Sequence, residues 1–143
     1  MKLIVVAAAA LIRDGRVLLA QRPEGKPLAG KWEFPGGKLE FLGGKLDEAE
    51  TPESCLVREL KEELSITVDE AALAPITFAS HGLSADKHLL MPLYSVRDWE
   101  GEPVGAEGQD LQWVEASEIE TFELPDADYP LIPFVKSAMA GLN

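Results

Sequence analysis

The chain opens on an apolar run, Leu3 to Ile12, which is broken by Arg13-Asp14-Gly15-Arg16 and resumes as Val17-Leu18-Leu19-Ala20. An Asp-Gly pair between two apolar segments predicts a β-hairpin, here a buried strand pair. A loop rich in Pro, Gly and charge follows over 22–30, and Lys31-Trp32-Glu33-Phe34-Pro35-Gly36-Gly37 then reads as a short strand entering a glycine turn. Thr51-Pro52-Glu53 supplies an N-cap, a proline at the first helical position and an early acid, which marks a helix start. Leu56, Leu60 and Leu64, spaced by four with Val57 on the flank, form its buried stripe and carry the helix to about Leu64. Residues 73–80, 88–96 and 111–114 carry β-favouring side chains between turn signals and predict further strands. Residues 129–139 have apolar positions at helical spacing, with Pro130 and Pro133 limiting where a closing helix begins. Strands combined with one long central helix and another at the end imply an α/β or α+β sandwich, and nothing marks a linker within 1–143, so a single domain is expected.

One feature interrupts this pattern. Residues 34–40, Phe-Pro-Gly-Gly-Lys-Leu-Glu, are followed at once by 41–47, Phe-Leu-Gly-Gly-Lys-Leu-Asp, a tandem copy matching at five of seven positions and far too short for a solenoid repeat.

Composition narrows the partners. With 25 acidic against 13 basic residues the formal charge is −12, which repels a polynucleotide backbone and argues against duplex nucleic acid. A small phosphorylated ligand remains compatible if divalent cations and a few local Arg or Lys offset that field. Cys55 is the one cysteine, so no internal disulfide forms. The first residues superficially resemble a signal peptide, but the hairpin pattern makes them a strand, and a cytoplasmic protein is expected. No apolar stretch reaches the roughly 18 residues that span a bilayer, so no membrane association is expected.

The candidate chemistry lies on the predicted helix. Glu59, Glu62 and Glu63 stand at 0, 3 and 4 positions, so their carboxylates project from one arc beside the leucine stripe. Their repulsion is unfavourable unless a cation is shared, and a set of hard oxygen donors suits Mg²⁺ or Mn²⁺. Alone, Arg-Glu-x-x-Glu-Glu reads first as a solvated acidic face with Arg58 and Lys61 as partners. The context is wider: Gly44, five residues, Glu50, seven residues, then Arg58-Glu59-Leu60-Lys61-Glu62-Glu63-Leu64-Ser65-Ile66. This resembles the Nudix box at every fixed position except the last glycine, which is Ser65. Glycine there would end the helix in a left-handed conformation; serine either adopts it at about 1 kcal/mol or uses another turn.

The likeness covers nearly the whole chain, through Arg22, Trp32-Glu33-Phe34-Pro35-Gly36-Gly37, Trp99-Glu100-Gly101-Glu102-Pro103 and Gly105-Ala106-Glu107-Gly108-Gln109, in the order of MutT-type members. The resemblance implies a Nudix α/β/α sandwich with a mixed sheet and the Nudix helix at about 51–64. It implies a Mg²⁺-dependent (d)NTP diphosphatase, acting on 8-oxo-dGTP or related nucleotides to release a monophosphate and pyrophosphate. CTP or modified-dCTP hydrolysis is a second expectation, and a folded binding domain whose turnover is impaired by the duplicated segment is a third. In this scheme Glu59, Glu62, Glu63, Glu107 and a carbonyl of Gly44 hold metal, with Arg58 orienting Glu62 and Glu50 bonding Arg58 or the helix amides. Glu59 and Glu107 both stay open as general base. Arg22, Phe34 and Lys87 are expected at the substrate, and Asp128 falls where MutT-type members read the purine edge. A monomer or homodimer is expected. The box glycine has two candidate copies, and they cannot occupy the same place.

Overall fold

The structure, a computed structural model, describes residues 1–39 and 50–142. Strands β1 (Lys2–Arg13) and β2 (Arg16–Gln21) form the expected hairpin. Asp14 and Gly15 both take left-handed backbone, φ 53° and 75°, the geometry that a two-residue Asp-Gly hairpin turn requires.

β1 is buried along most of its length because both of its faces meet a core. Ala8, Ala10 and Ile12 point into one cluster and Ala7, Ala9 and Leu11 into the other, the two-residue alternation of a strand. Short alanine side chains let a layer close on each face. Helix α1 (Pro52–Leu64) brings Leu56, Leu60 and Leu64 to the second cluster. Helix α2 (Ile132–Met139), with the 3-10 segment Asp126–Leu131 before it, brings Leu131, Ile132, Val135 and Ala138 to the first. The result is an α/β/α sandwich around a mixed sheet, as expected.

The remaining strands are β3 (Trp32–Glu33), β4 (Gly36–Lys38), β5 (Leu73–Ser84), β6 (Lys87–Val96) and β7 (Leu111–Glu115). Among the described residues the seven-stranded sheet runs β3-β2-β1-β6-β5, with β4 also on β1 and β7 also on β2. β6 pairs β1 in parallel over almost its whole length. The other edge of β1 is divided: β4 takes Val6 to Ala8, and β2 takes only Ile12 and Arg13. β2 and β4 therefore diverge from a shared neighbour, and that divergence opens the cavity described below.

Two expectations are corrected. Gly36-Gly37 is not a turn but the start of β4, antiparallel to β1 with Ala8 opposite Gly36 and Ala7 opposite Gly37. The glycines serve close approach, since a Cβ on Gly36 would stand 2.0 Å from the Ala7 carbonyl oxygen. β5 runs on to Ser84, beyond the expected Ser80, because pairing with β6 continues through register shifts at Pro75/Thr77 and Gly82/Ser84. The second glycine copy, including Gly44, lies outside the described residues. Among the described residues no helix is long and apolar enough to cross a membrane.

Candidate active site

α1 is built to be rigid at the start and held at the end. The Thr51 hydroxyl accepts from the Ser54 N–H at 3.0 Å and Ser54 Oγ accepts from the Thr51 N–H, a capping box, with Pro52 in the first turn. At the other end Ser65 takes the left-handed conformation, φ 59°, and its N–H donates to the Lys61 carbonyl. The chain beyond β6 then covers the last turn. Val104 N–H donates to the Leu64 carbonyl at 3.0 Å, and Ala106 N–H to that of Glu63 at 3.0 Å. Gln109 was not singled out as a candidate, yet its Nε2 donates to the same Glu63 carbonyl and its Oε1 accepts from the Glu107 N–H, both at 2.9 Å. The carbonyls that a helix C-terminus leaves open are thus closed by the loop that carries Glu107.

Arg58 organises the carboxylates on the polar face. Its Nε and Nη2 hold both oxygens of Glu50 at 2.6 and 2.8 Å, while Nη1 reaches Glu59 at 2.9 Å and Glu62 at 3.2 Å. Bidentate guanidinium–carboxylate pairing fixes geometry as well as charge. Glu59 and Glu63 turn to the cavity and hydrogen-bond each other. Burial first, then the Glu59 charge and that hydrogen bond, hold the Glu63 carboxyl far above the usual carboxylate range.

The cavity, of about 360 Å³, lies where β2 and β4 part from β1. Glu59, Glu63 and Glu107 line it, together with Arg22, Phe34 and Asp128. Asp128 is only 5% exposed. Its carboxyl is pushed up to about 7, by burial and then by the charge of Glu33, against a hydrogen bond from the Phe34 backbone and the attraction of Arg22. Arg22 holds both oxygens of Glu33, at 2.9 and 3.2 Å, and its Nε donates to the Pro27 carbonyl. Phe34 is 3% exposed and packs in the core as well as lining the cavity.

Not every expected residue arrives. Lys87 sits exposed at the start of β6, opposite Ser84 and Lys2, and is not among the lining residues. It is held there by pairing with both β5 and β1. Glu62 is also absent from the lining and its side chain is 57% exposed beside Arg58. Gly44 lies outside the described residues. Glu33, Lys26, Lys38 and Gln109 line the cavity without having been singled out. Glu33 and Gln109 stood in segments that carried the family likeness, but only the strand pairing and the loop path show what they touch.

Among the described residues no three His, Cys, Asp or Glu side chains stand at metal-binding spacing. The donor chemistry nonetheless fits a divalent cation. A half-buried, hydrogen-bonded carboxyl pair, with Glu107 facing the same cavity, offers hard oxygens whose repulsion a cation would relieve.

The NUDIX domain family matches residues 2–135. A Haemophilus influenzae protein named 8-oxo-dGTP diphosphatase is 38% identical over 133 residues, covering 92% of this chain and 90% of that protein. An Escherichia coli CTP pyrophosphohydrolase is 39% identical over 133 residues with the same coverage, 92% and 90%. Among solved structures, a MutT Nudix hydrolase from Burkholderia pseudomallei superposes with a TM-score of 0.79 at 29% identity, covering 94% of this chain and 99% of that one.

Proposed function

This chain belongs to the Nudix family, and from that premise we propose that it is a Mg²⁺-dependent pyrophosphohydrolase that cleaves an oxidised purine nucleotide such as 8-oxo-dGTP to the monophosphate and pyrophosphate. The similar proteins named 8-oxo-dGTP diphosphatase and CTP pyrophosphohydrolase support the reading. The observation that supports the reading is one cavity shared by the Glu59/Glu63 pair, Glu107 and the buried carboxyl of Asp128. Catalytic carboxylates and a base-reading group then face one bound nucleotide.

Glu59, Glu63 and Glu107, with Glu62 beside them on α1, would hold the cation, and Mn²⁺ has the same donor preference. When bound, such a cation offsets phosphate charge and lowers the pKa of water. The chain's own residues do the rest. Arg58 keeps Glu59 and Glu62 from turning away, and Lys26, Lys38 and Arg22 supply positive charge around the cavity in an otherwise acidic protein. Asp128 accepts a hydrogen bond when ionised and donates when protonated, which suits a base edge carrying both donors and acceptors. That same versatility serves a cytosine edge, and the likeness to a CTP pyrophosphohydrolase makes CTP the competing substrate. Either activity would act on the nucleotide pool of the cytoplasm.

Pyrophosphate release with Mg²⁺ across 8-oxo-dGTP, dGTP, dCTP and CTP separates these readings. Preference for 8-oxo-dGTP supports the proposal, and preference for CTP replaces it with the pyrimidine one. Nucleotide binding without release from any of the four would make the chain a binding domain. Glu59→Gln is expected to lower turnover by at least about 100-fold with the fold intact, in the range of losing a positioned acid–base or metal-holding group.

A further inference from the structure

The chain carries Gly-Gly-Lys twice, at 36–38 and 43–45, and the spacing of the Nudix box, glycine followed after five residues by Glu50, selects the second. We infer that the first copy is the working one: Gly37, set beside Glu59 by β3 and β4, positions that carboxylate, and neither metal affinity nor turnover depends on Gly44. The inference deepens the proposed function and rests on Glu59 belonging to the reacting centre.

Three observations carry it. First, the strand ahead of the first glycine copy is anchored. Trp32 and Glu33 pair with Gln21 and Ala20 of β2, the Trp32 N–H donates to the Glu123 carbonyl, and the Trp32 ring meets Phe122 edge-on at 5.3 Å. Only the first copy follows Trp32-Glu33 directly, so only it can enter β4 from that anchor.

Second, β4 is held on both sides of its glycines. Ala9 N–H donates to the Pro35 carbonyl at 2.7 Å and Leu39 N–H to the Val5 carbonyl at 2.9 Å. Leu39 is 4% exposed in the α1-side core. Glu50 is fixed separately, by Nε and Nη2 of Arg58. With each end of the interval anchored by its own partners, the box spacing no longer has to be five residues. Twelve residues separate Gly37 from Glu50, the five of the box plus the seven of one copy.

Third, the place is made for glycine. A Cβ on Gly37 would fall 2.1 Å from Cδ of Glu59 and 2.5 Å from its Oε1. The obstruction is the end of a flexible side chain, so alanine at 37 would fold and push the Glu59 carboxylate aside. At Gly36 the obstruction is the Ala7 backbone at 2.0 Å, and alanine there would break the β4–β1 pairing instead. The Gly37 carbonyl also takes the Cys55 thiol at 3.5 Å, tying β4 to α1.

The test compares Gly37→Ala and Gly44→Ala in the full chain. Circular dichroism and thermal melts establish folding, pyrophosphate release gives turnover, and Mn²⁺ titration followed by water-proton relaxation reads the site independently of turnover. Gly37→Ala is expected to fold, to lose at least tenfold in Mn²⁺ affinity and to lose turnover by about 100-fold. Gly44→Ala is expected to stay within twofold of the parent in both. The inference is overturned if Gly44→Ala loses either property as Gly37→Ala should, or if Gly37→Ala keeps both. Should Gly37→Ala fail to fold, Gly44→Ala decides alone. If the parent releases no pyrophosphate from any nucleotide, the proposed function falls, and the Mn²⁺ affinities of the two variants still decide between the copies.

Discussion

Asp128 shows how one buried side chain can depend on its surroundings more than on its type. Its folded pKa of about 7 stands above the ordinary value of 3.8, so between those values the native state keeps a proton that the unfolded chain has released. The sign follows from linkage: a raised acid supports the fold fully below about pH 4, and that support is lost as pH rises through 7. Asp128→Asn cannot ionise, so its stability in urea is expected to fall less between pH 5 and pH 8 than that of the parent. Parallel declines in the two proteins would mean that Asp128 is not the group responsible. The position itself was legible, from its place in Pro125-Asp126-Ala127-Asp128 along the family pattern. Its titration was not, because that arises from desolvation and from Glu33, 95 residues earlier, which meets it only across the cavity. Lys87 shows the converse. A cation at the expected position along the chain ends on an exposed hairpin, because the register of β5 on β6 decides where it points.

At the scale of elements, the junction between α1 and the loop bearing Glu107 matters most. Gln109 spans it with one side-chain amide, donating to the Glu63 carbonyl and accepting from the Glu107 N–H. Gln109→Leu would strand the Glu107 N–H and remove one of two donors to Glu63, at a cost of about 1 kcal/mol in stability. Because the loop would no longer hold Glu107 against the helix end, turnover is expected to fall by about tenfold while KM for nucleotide changes little. A loss confined to thermal stability would reduce Gln109 to a structural tie. The helix itself was readable in detail: Thr51, Pro52 and the leucine stripe define both its ends. Ser65 left two outcomes open, and the chain takes the left-handed one, helped by the loop that covers the last turn. Gly36-Gly37 was misread as a turn because glycine marks both turns and close backbone approach, and only the partner strand distinguishes them.

For the whole molecule, the thickness of the sandwich is set by the alanines of β1. Ala10 is fully buried in the core under α2, and Ala7 and Ala9 face the core under α1. Ala10→Leu would force that layer outward, and overpacking of this kind costs about 1–3 kcal/mol. A lower urea midpoint at unchanged slope is the expected result, and an unchanged midpoint would show slack that the packing does not suggest. By itself the sequence determined the β1–β2 hairpin as a buried strand pair, most of the later strands, both ends and the acidic arc of α1, and the family to which they belong. Those follow from local periodicity, capping and short-range spacing, which any chain with these residues must express. Only the tertiary structure decided that β2 and β4 share one edge of β1 and so open a cavity, that Gln109 closes the end of α1, and that Gly37 meets Glu59. Each depends on which strands pair and in what register.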